Sequence, residues 1–323
     1  MASPSIDAPS DASVVDPSPD APTPDAAREH PRRNGRRASR SRSHAVTNQP
    51  ATYTATPSKT GAGTDTRVSW RVWRVWEHLL GGFETFVADR ELAWQLEAVT
   101  PGVRPMVWAN RAFTRRVVTH LLDAGVDQFL DLGCGMLSAG SVHETLAERG
   151  STARSIHLDI DAVAVERATA WIADSSRAHT AAAVRADLRE PSTVFDHPTV
   201  QRSLDFGRPV ATIAAGVLAH LGDEPAAGLL GAVREACVDG SFLAVTHPTA
   251  DLHAEVNALT VVGARPRGRA RVHALLHGWQ LGEPGLVWAP HWRPDPDEGD
   301  PPRGGRAARY LLAALAATAG SGR

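Results

Sequence analysis

The chain predicts an α/β fold, a mostly parallel sheet with helices on both faces, preceded by a helical N-terminal cap. Three observations carry that expectation. After Gly125 short apolar runs alternate with helix-length stretches, the pattern of parallel strands joined by crossover helices. The first run ends in a glycine turn, and the first three each end at an aspartate. Before Gly125 the apolar residues recur at three and four spacing instead, the period of amphipathic helices.

A length of 323 residues suits one large domain or two small ones. With 42% hydrophobic and 22% charged residues, the bulk composition excludes a wholly disordered chain and a membrane protein. The net charge of -2 gives no global drive toward nucleic acid. Cys134 and Cys237 form no C-x-x-C pair, which argues against a disulfide framework and a zinc ribbon and fits a reducing cytoplasm. No metal site is expected. No apolar run approaches the roughly 20 residues that cross a bilayer, and the N-terminus lacks a basic and then apolar leader. The expected location is cytoplasmic, with no membrane partner.

Residues 1–66 are built from Pro, Ser, Asp, Ala, Thr and Arg. They hold too few large apolar side chains to offset chain entropy, so the expectation is a disordered extension. Asp7, Asp11, Asp16, Asp20 and Asp25 precede a basic block from Arg32 to Arg42. That block reads either as an arm for nucleic acid or anionic lipid, or as a solvated extension, and composition favours the second.

Residues 67–125 are the expected helical cap. Val72, Val75, Trp76, Leu79 and Leu80 mark a first helix broken by Gly81-Gly82. A second is expected from Ala88 to Val99, ended by the Pro101 to Pro105 stretch, and a third from about Val107 to Leu122. Trp70, Trp73, Trp76, Trp94 and Trp108 read either as an aromatic substrate wall or, from their helical spacing, as core.

Residues 126–323 are the expected cofactor domain. Its strands are DQFLDLGCG, SIHLDID, VRADLRE, PVATIAAGVL and SFLAVTHP, followed by GWQLGEPGLVWAPHW and ARYLLAALAA. The alanine-rich last segment fits a short helix or a buried strand equally well.

The chemistry gathers at the strand ends. Phe129-Leu130-Asp131-Leu132-Gly133-Cys134-Gly135 is an apolar strand entering a glycine turn, with a helix expected near Val142. Glycines there let the backbone approach a ligand where a Cβ would collide. A dinucleotide fingerprint needs G-x-G-x-x-G, but the third position is Ser138 and the next glycine is Gly140. Asp131 would repel a pyrophosphate yet accept hydrogen bonds from an ammonium group. Both points favour S-adenosylmethionine over NAD. Asp159, followed by Ile160, ends the second run where a carboxylate grips both ribose hydroxyls, and Asp161 reads as a helix N-cap. Asp187 is placed to bond the adenine amino group while Leu188 covers the ring.

The ordered set DLGCG, HLDID, ADL, VLAHL and GSFLAVTHP resembles the class I S-adenosylmethionine-dependent methyltransferases. More narrowly, EHLLGGFETFVADRELA, WANRAFTRRVV, SVHETL, DFGRPVA and PGLVWAPHWRPD resemble an actinobacterial methyltransferase-like family long catalogued only as a domain of unknown function. The likeness runs in order over about residues 68–295. It implies a Rossmann-like, seven-stranded sheet with a reversed last strand, S-adenosylmethionine as cofactor and a small-molecule methyl acceptor. Three departures stand out: Met136-Leu137-Ser138-Ala139 where the family often has a proline, Trp76 where it usually has a tyrosine, and Ala214-Ala215 where many methyltransferases show an acid or asparagine.

Methyl transfer asks the protein to position a nucleophile, exclude water and, for a hydroxyl or amine, accept a proton. His220 and His143 are the expected catalytic groups, with His247 third. Ala215 is expected beside the cofactor. Asp89, Arg90, Asn110 and Arg111 are the expected substrate contacts, on a cap that closes over the site. The cluster Arg265, Arg267, Arg269 and Arg271 reads as a phosphate or nucleic-acid site or as a solvated loop, with composition favouring the loop.

Overall fold

The computed structural model describes residues 69–295 and 306–318, so the expected N-terminal extension and its basic block lie outside the described residues. The strands are β1 Gln128–Leu132, β2 Arg154–Asp159, β3 Ala181–Arg185, β4 Ala211–Ala215, β5 Phe242–Pro248, β6 Trp279–Leu281, β7 Val287–Trp288 and β8 Leu311–Thr318. They form one sheet in the order β3-β2-β1-β4-β5-β8-β6, with β7 paired to β8 off that path. β1 to β5 pair in parallel, and β8 is antiparallel to β5, β6 and β7. The reversed last strand is present. The path of the sheet has the seven strands expected, and among the described residues β7 adds an eighth, a two-residue pairing to β8 off that path.

Side chains alternate across the sheet with period two. Phe129 of β1 enters one core, and Leu130 and Leu132 enter the other. β8 does the same, with Leu311, Ala313 and Leu315 on one side and Ala314 and Ala316 on the other. That settles the alanine-rich segment as a strand: it is covered on both faces, so every position must be apolar.

The helices before β1 are α1 Val72–Leu79, α2 Val87–Val99 and α3 Val103–Asp123. Those after it are α4 Val142–Glu148, α5 Ala162–Ala173, α6 Ser192–Phe195, α7 Pro198–Ser203, α8 Asp223–Ala236 and α9 Arg269–Leu275. The third helix starts at Val103 and not at Val107, with Pro105 inside its first turn. Amides of a first helical turn have no intrahelical partner, so proline there forfeits no bond. Phe113, Val117 and Leu121 of α3 share a core with Phe129, Ile213 and Ala313 of the sheet. The last helix before β1 thus shares its core with the sheet. On the opposite face Leu229, Leu230 and Val233 of α8 meet Leu130, Leu243 and Val245. Among the described residues no helix is long and apolar enough to cross a membrane.

Between β1 and β4 the strand order reverses, since the chain moves outward one way through β2 and β3 and the other way through β5. The carboxyl ends of those two strands therefore flank a crevice, the place where open α/β sheets bind ligands.

Candidate cofactor and active site

The loop after β1 turns through two left-handed glycines, Gly133 at φ 70° and Gly135 at φ 55°. The Cys134 amide donates to the Leu158 carbonyl of β2 at 2.8 Å. The Gly135 amide donates to Asp159 Oδ2 at 3.0 Å, and the Asp161 amide to Oδ1 of the same carboxylate at 2.9 Å. Burial pushes the Asp159 carboxyl above its ordinary value while these two amides pull it down. Each carboxylate oxygen keeps a further lone pair for a hydroxyl donor. Asp161 accepts from the Val163 amide at 2.9 Å and so caps α5.

Asp131 and His157 stand opposite each other in the register of β1 and β2, and their side chains meet at 3.0 Å between Oδ2 and Nδ1. Arg177 Nη2 donates to Ser155 Oγ at 3.3 Å, and Ser155 Oγ lies 3.1 Å from His157 Nε2. A carboxylate only accepts, so His157 donates from Nδ1 to Asp131, and Ser155 occupies its other ring nitrogen. The carboxylate is thus held from behind, in the wall of the crevice.

A cleft of about 380 Å³ opens at these strand ends. Asp131, Gly133, Cys134 and Gly135 line it from β1, Asp159 and Ile160 from β2, Asp187 and Leu188 from β3, and Ala215 from β4. Asn110, Arg111 and His220 line it too. Ile160, half exposed at 49%, leaves an apolar face beside Asp159. Asp187 is held by Arg189, whose side chain holds the carboxyl below its ordinary value. Burial raises the Cys134 thiol well above its usual range, so this residue supplies shape and no nucleophile.

Three expected residues lie off the cleft. His143 is buried at 1% exposure, its ring edge-on to His157 with centroids 5.6 Å apart. As the second residue of α4 it turns into the protein, away from the strand ends. Asp89, fully buried, accepts from the Phe86 amide at 2.8 Å, the Arg71 amide at 2.9 Å and Arg74 Nε at 2.7 Å. It starts α2 and ties it to α1, with three donors on its carboxylate. Arg90 donates to the Thr85 carbonyl at 2.9 Å and lies away from the cleft as well.

Three of the four clustered arginines, Arg267, Arg269 and Arg271, are engaged within the fold. Arg267, 6% exposed, donates to the carbonyls of Leu218 and Leu221 at 2.8 and 2.7 Å and to Asp223 at 2.7 Å. These carbonyls bracket His220, so Arg267 holds the loop that presents it. Its Nη1 also lies 2.8 Å from His247 Nε2, while His247 Nδ1 lies 2.8 Å from the Pro248 carbonyl. His247 therefore donates from Nδ1 and accepts at Nε2, a structural role. Arg271 pairs with Asp223, and Arg269 lies over Trp288 at 4.9 Å.

Asn110 and Arg111, expected from the sequence as substrate contacts, line the crevice from α3, and sequence reasoning missed only the bonds by which α1 and α3 complete it. Arg111 donates to the Met136 carbonyl of the glycine loop at 2.9 Å. Burial lowers its pKa, and the charges of Asp131 and Glu77 oppose that shift. That bond uses one of five guanidinium donors. Thr246 Oγ1 of β5 donates to Asn110 Oδ1 at 2.6 Å, and a Cβ built on Gly216 would stand 3.7 Å from Asn110 Nδ2. Asn110 thus brings an N–H to the end of β4, where Ala214-Ala215-Gly216 has no polar side chain. Trp73 and Trp76 line the cleft, whereas Trp94 and Trp108 are 57% and 42% exposed, so neither sequence reading suits all five tryptophans.

These residues fit an amino-acid-bearing nucleoside. Asp131 offers an acceptor for an ammonium group, Arg111 free donors for a carboxylate, Asp159 acceptors for ribose hydroxyls, and Ile160 with Leu188 an apolar slot. Sheet order and crevice together define a Rossmann-like methyltransferase fold. The chain belongs to the S-adenosyl methyltransferase family, whose model matches residues 60–319, and S-adenosylmethionine is the cofactor of that family. It is similar to the crystal structure of a candidate methyltransferase from Thermobifida fusca at 30% identity and a TM-score of 0.71, over 77% of this chain and 95% of that one. A DUF574 family protein from Streptomyces avermitilis is similar at 28% identity and a TM-score of 0.71, over 78% and 98%. No protein of curated function matches the chain.

Proposed function

We propose that this protein transfers the methyl group of S-adenosylmethionine to a small-molecule acceptor in the cytoplasm. The observation that supports this most is that one continuous cleft joins the Asp131–Arg111–Asp159 end to a second region bounded by Asn110 and His220. The cofactor supplies a methyl group on a positively charged sulfur. The protein's own work is to hold the zwitterionic end between Asp131 and Arg111, to fix the ribose with Asp159, and to exclude water with Trp73 and Trp76. His220 takes the acceptor's proton. Burial lowers its pKa, against an opposing bond to the Gly263 backbone, so the ring is neutral and able to accept at neutral pH. Both cysteines are free thiols, in keeping with a reducing compartment.

A second reading, a protein that binds the cofactor as a sensor without turnover, draws on the absence of an acid or amide at Ala214-Ala215 of β4. Asn110 answers that absence from α3.

Calorimetry of S-adenosylmethionine, S-adenosylhomocysteine and NAD against the wild type and Asp159→Ala is the test. The sulfonium cofactor or its product binds, NAD does not, and Asp159→Ala costs about 1 to 3 kcal/mol, the range for hydrogen bonds to a charged group. Binding of NAD alone, or of none of the three, overturns the assignment. Formation of S-adenosylhomocysteine from any offered acceptor then separates enzyme from sensor.

A further inference from the structure

We propose that the methyl acceptor is an uncharged, largely apolar small molecule presenting a single hydroxyl. The inference rests on the methyltransferase reading above and specifies the other end of the same cleft.

The cleft divides by chemistry. Its charged lining residues are Glu77, Arg111, Asp131, Asp159, Asp187 and Arg189. Each is engaged toward the glycine loop or the ends of β1 to β3: Glu77 accepts from Ser138 Oγ at 2.8 Å, Arg111 holds Met136, Asp131 meets His157, Asp159 holds two loop amides, and Asp187 pairs with Arg189. Beyond Gly216 the walls change. Trp76, Leu80, Val107, Leu259, Ala264 and Leu311 line the cleft there and belong to one contiguous apolar core.

The inner end is buried as well as apolar. Leu259, Ala264 and Leu311 are 0%, 2% and 3% exposed. A charge seated against them would lose its hydration with no partner in return, which costs several kcal/mol or forces the group to neutralise. An apolar body gains from the same transfer.

Few polar contacts face this end. Thr114 Oγ1 is committed to the Asn110 carbonyl at 3.0 Å. Asn110 has its Oδ1 committed to Thr246 and its Nδ2 toward Gly216, which leaves an N–H to donate. His220 is the proton acceptor. One donor and one acceptor at the mouth of an apolar chamber match one hydroxyl: its oxygen accepts from Asn110 and its hydrogen points to the imidazole. In the transfer, the hydroxyl oxygen bonds to the methyl carbon as the sulfur–carbon bond breaks, the electron pair of that bond stays on sulfur, and the hydroxyl proton passes to His220. An anionic or polyionic acceptor finds no partner in this half.

The experiment titrates 2-naphthol, 2-naphthoate and 2-naphthylmethylammonium by calorimetry into protein with and without saturating S-adenosylhomocysteine, whose own binding is measured first. The expected result is that 2-naphthol binds at least about ten-fold tighter than either ion. Leu80→Arg, at the half-buried wall, and Leu259→Asp, at the buried end, remove 2-naphthol binding while S-adenosylhomocysteine affinity stays within about two-fold. That unchanged affinity also reports a folded variant. Equal or tighter binding of either ion, or no binding of 2-naphthol, overturns the acceptor class. Failure of S-adenosylhomocysteine to bind the wild type overturns the cofactor reading separately, since the naphthyl preference is still read in the unliganded protein.

Discussion

At the level of single residues, His143 is a polar group with nothing to hold. Neither ring nitrogen has a hydrogen-bond partner, and burial, with His157 and Arg177 nearby, lowers its pKa to about 4. The unfolded chain binds a proton near the ordinary 6.5, so acidification favours unfolding. Stability is present above about pH 6.5, falls as the pH drops, and the loss is complete below about 4. At pH 5 this one group costs about 2 kcal/mol. His143→Leu deletes the titration without deleting a hydrogen bond. Urea unfolding is therefore expected to show little change at pH 8 and a variant more stable than the wild type at pH 5; equal midpoint shifts at both pH values would contradict the assignment. Why His143 looked catalytic is plain from the sequence, since helix phase near a glycine loop does not reveal which way a ring points. Asn110 shows the converse. The absent polar residue on β4 was legible at Ala214-Ala215 and Asn110 was expected at the site as a substrate contact, but that Asn110 stands in for the missing β4 group was not legible, because the link runs through Thr246, 136 residues away.

Among the elements, the joint between α1 and α2 is a single carboxylate. Arg74 is 4% exposed and Asp89 fully buried, and the same carboxylate accepts the amides that start both helices. Truncating one partner of a buried ion pair strands the other charge, at about 3 to 5 kcal/mol. Asp89→Ala is expected to lose that much in urea unfolding with an unchanged m-value, and to weaken S-adenosylhomocysteine binding only secondarily through Trp73 and Trp76 of α1. An Asp89 that touched substrate instead would leave the unfolding midpoint where it is. The strands carrying the glycine turn and the acids were readable because burial on both faces leaves an apolar run bounded by turn residues. Pro105 misled because proline is a breaker everywhere except in a first helical turn. The three-residue β6 and two-residue β7 both lie in the apolar segment GWQLGEPGLVWAPHW, but its division into two short pairings with β8 leaves no period to read.

For the molecule as a whole, long-range ties bind the first three helices to the end of the chain. Arg116 of α3, 6% exposed, donates to the carbonyls of Trp292 and Ala289 at 3.0 and 2.9 Å. Thr100 donates to the Glu255 carbonyl at 2.9 Å, and Tyr310 Oη donates to Glu255 Oε1 at 2.7 Å. With α3 also inside the sheet's core, the helices before β1 have no independent core to fold around. Heat should therefore unfold helices and sheet together. Five of the nine tryptophans, Trp70, Trp73, Trp76, Trp94 and Trp108, precede β1, so tryptophan fluorescence is weighted to these helices while far-ultraviolet circular dichroism reports the whole chain. The two melting curves are expected to coincide. Because the cleft is built from both parts, S-adenosylhomocysteine at about 100 times its Kd adds about 2.7 kcal/mol and moves both curves upward together by about 5 to 10 °C. A fluorescence transition that precedes the dichroism transition, or a ligand shift confined to one curve, would mean that the helices close over the sheet as a separate unit.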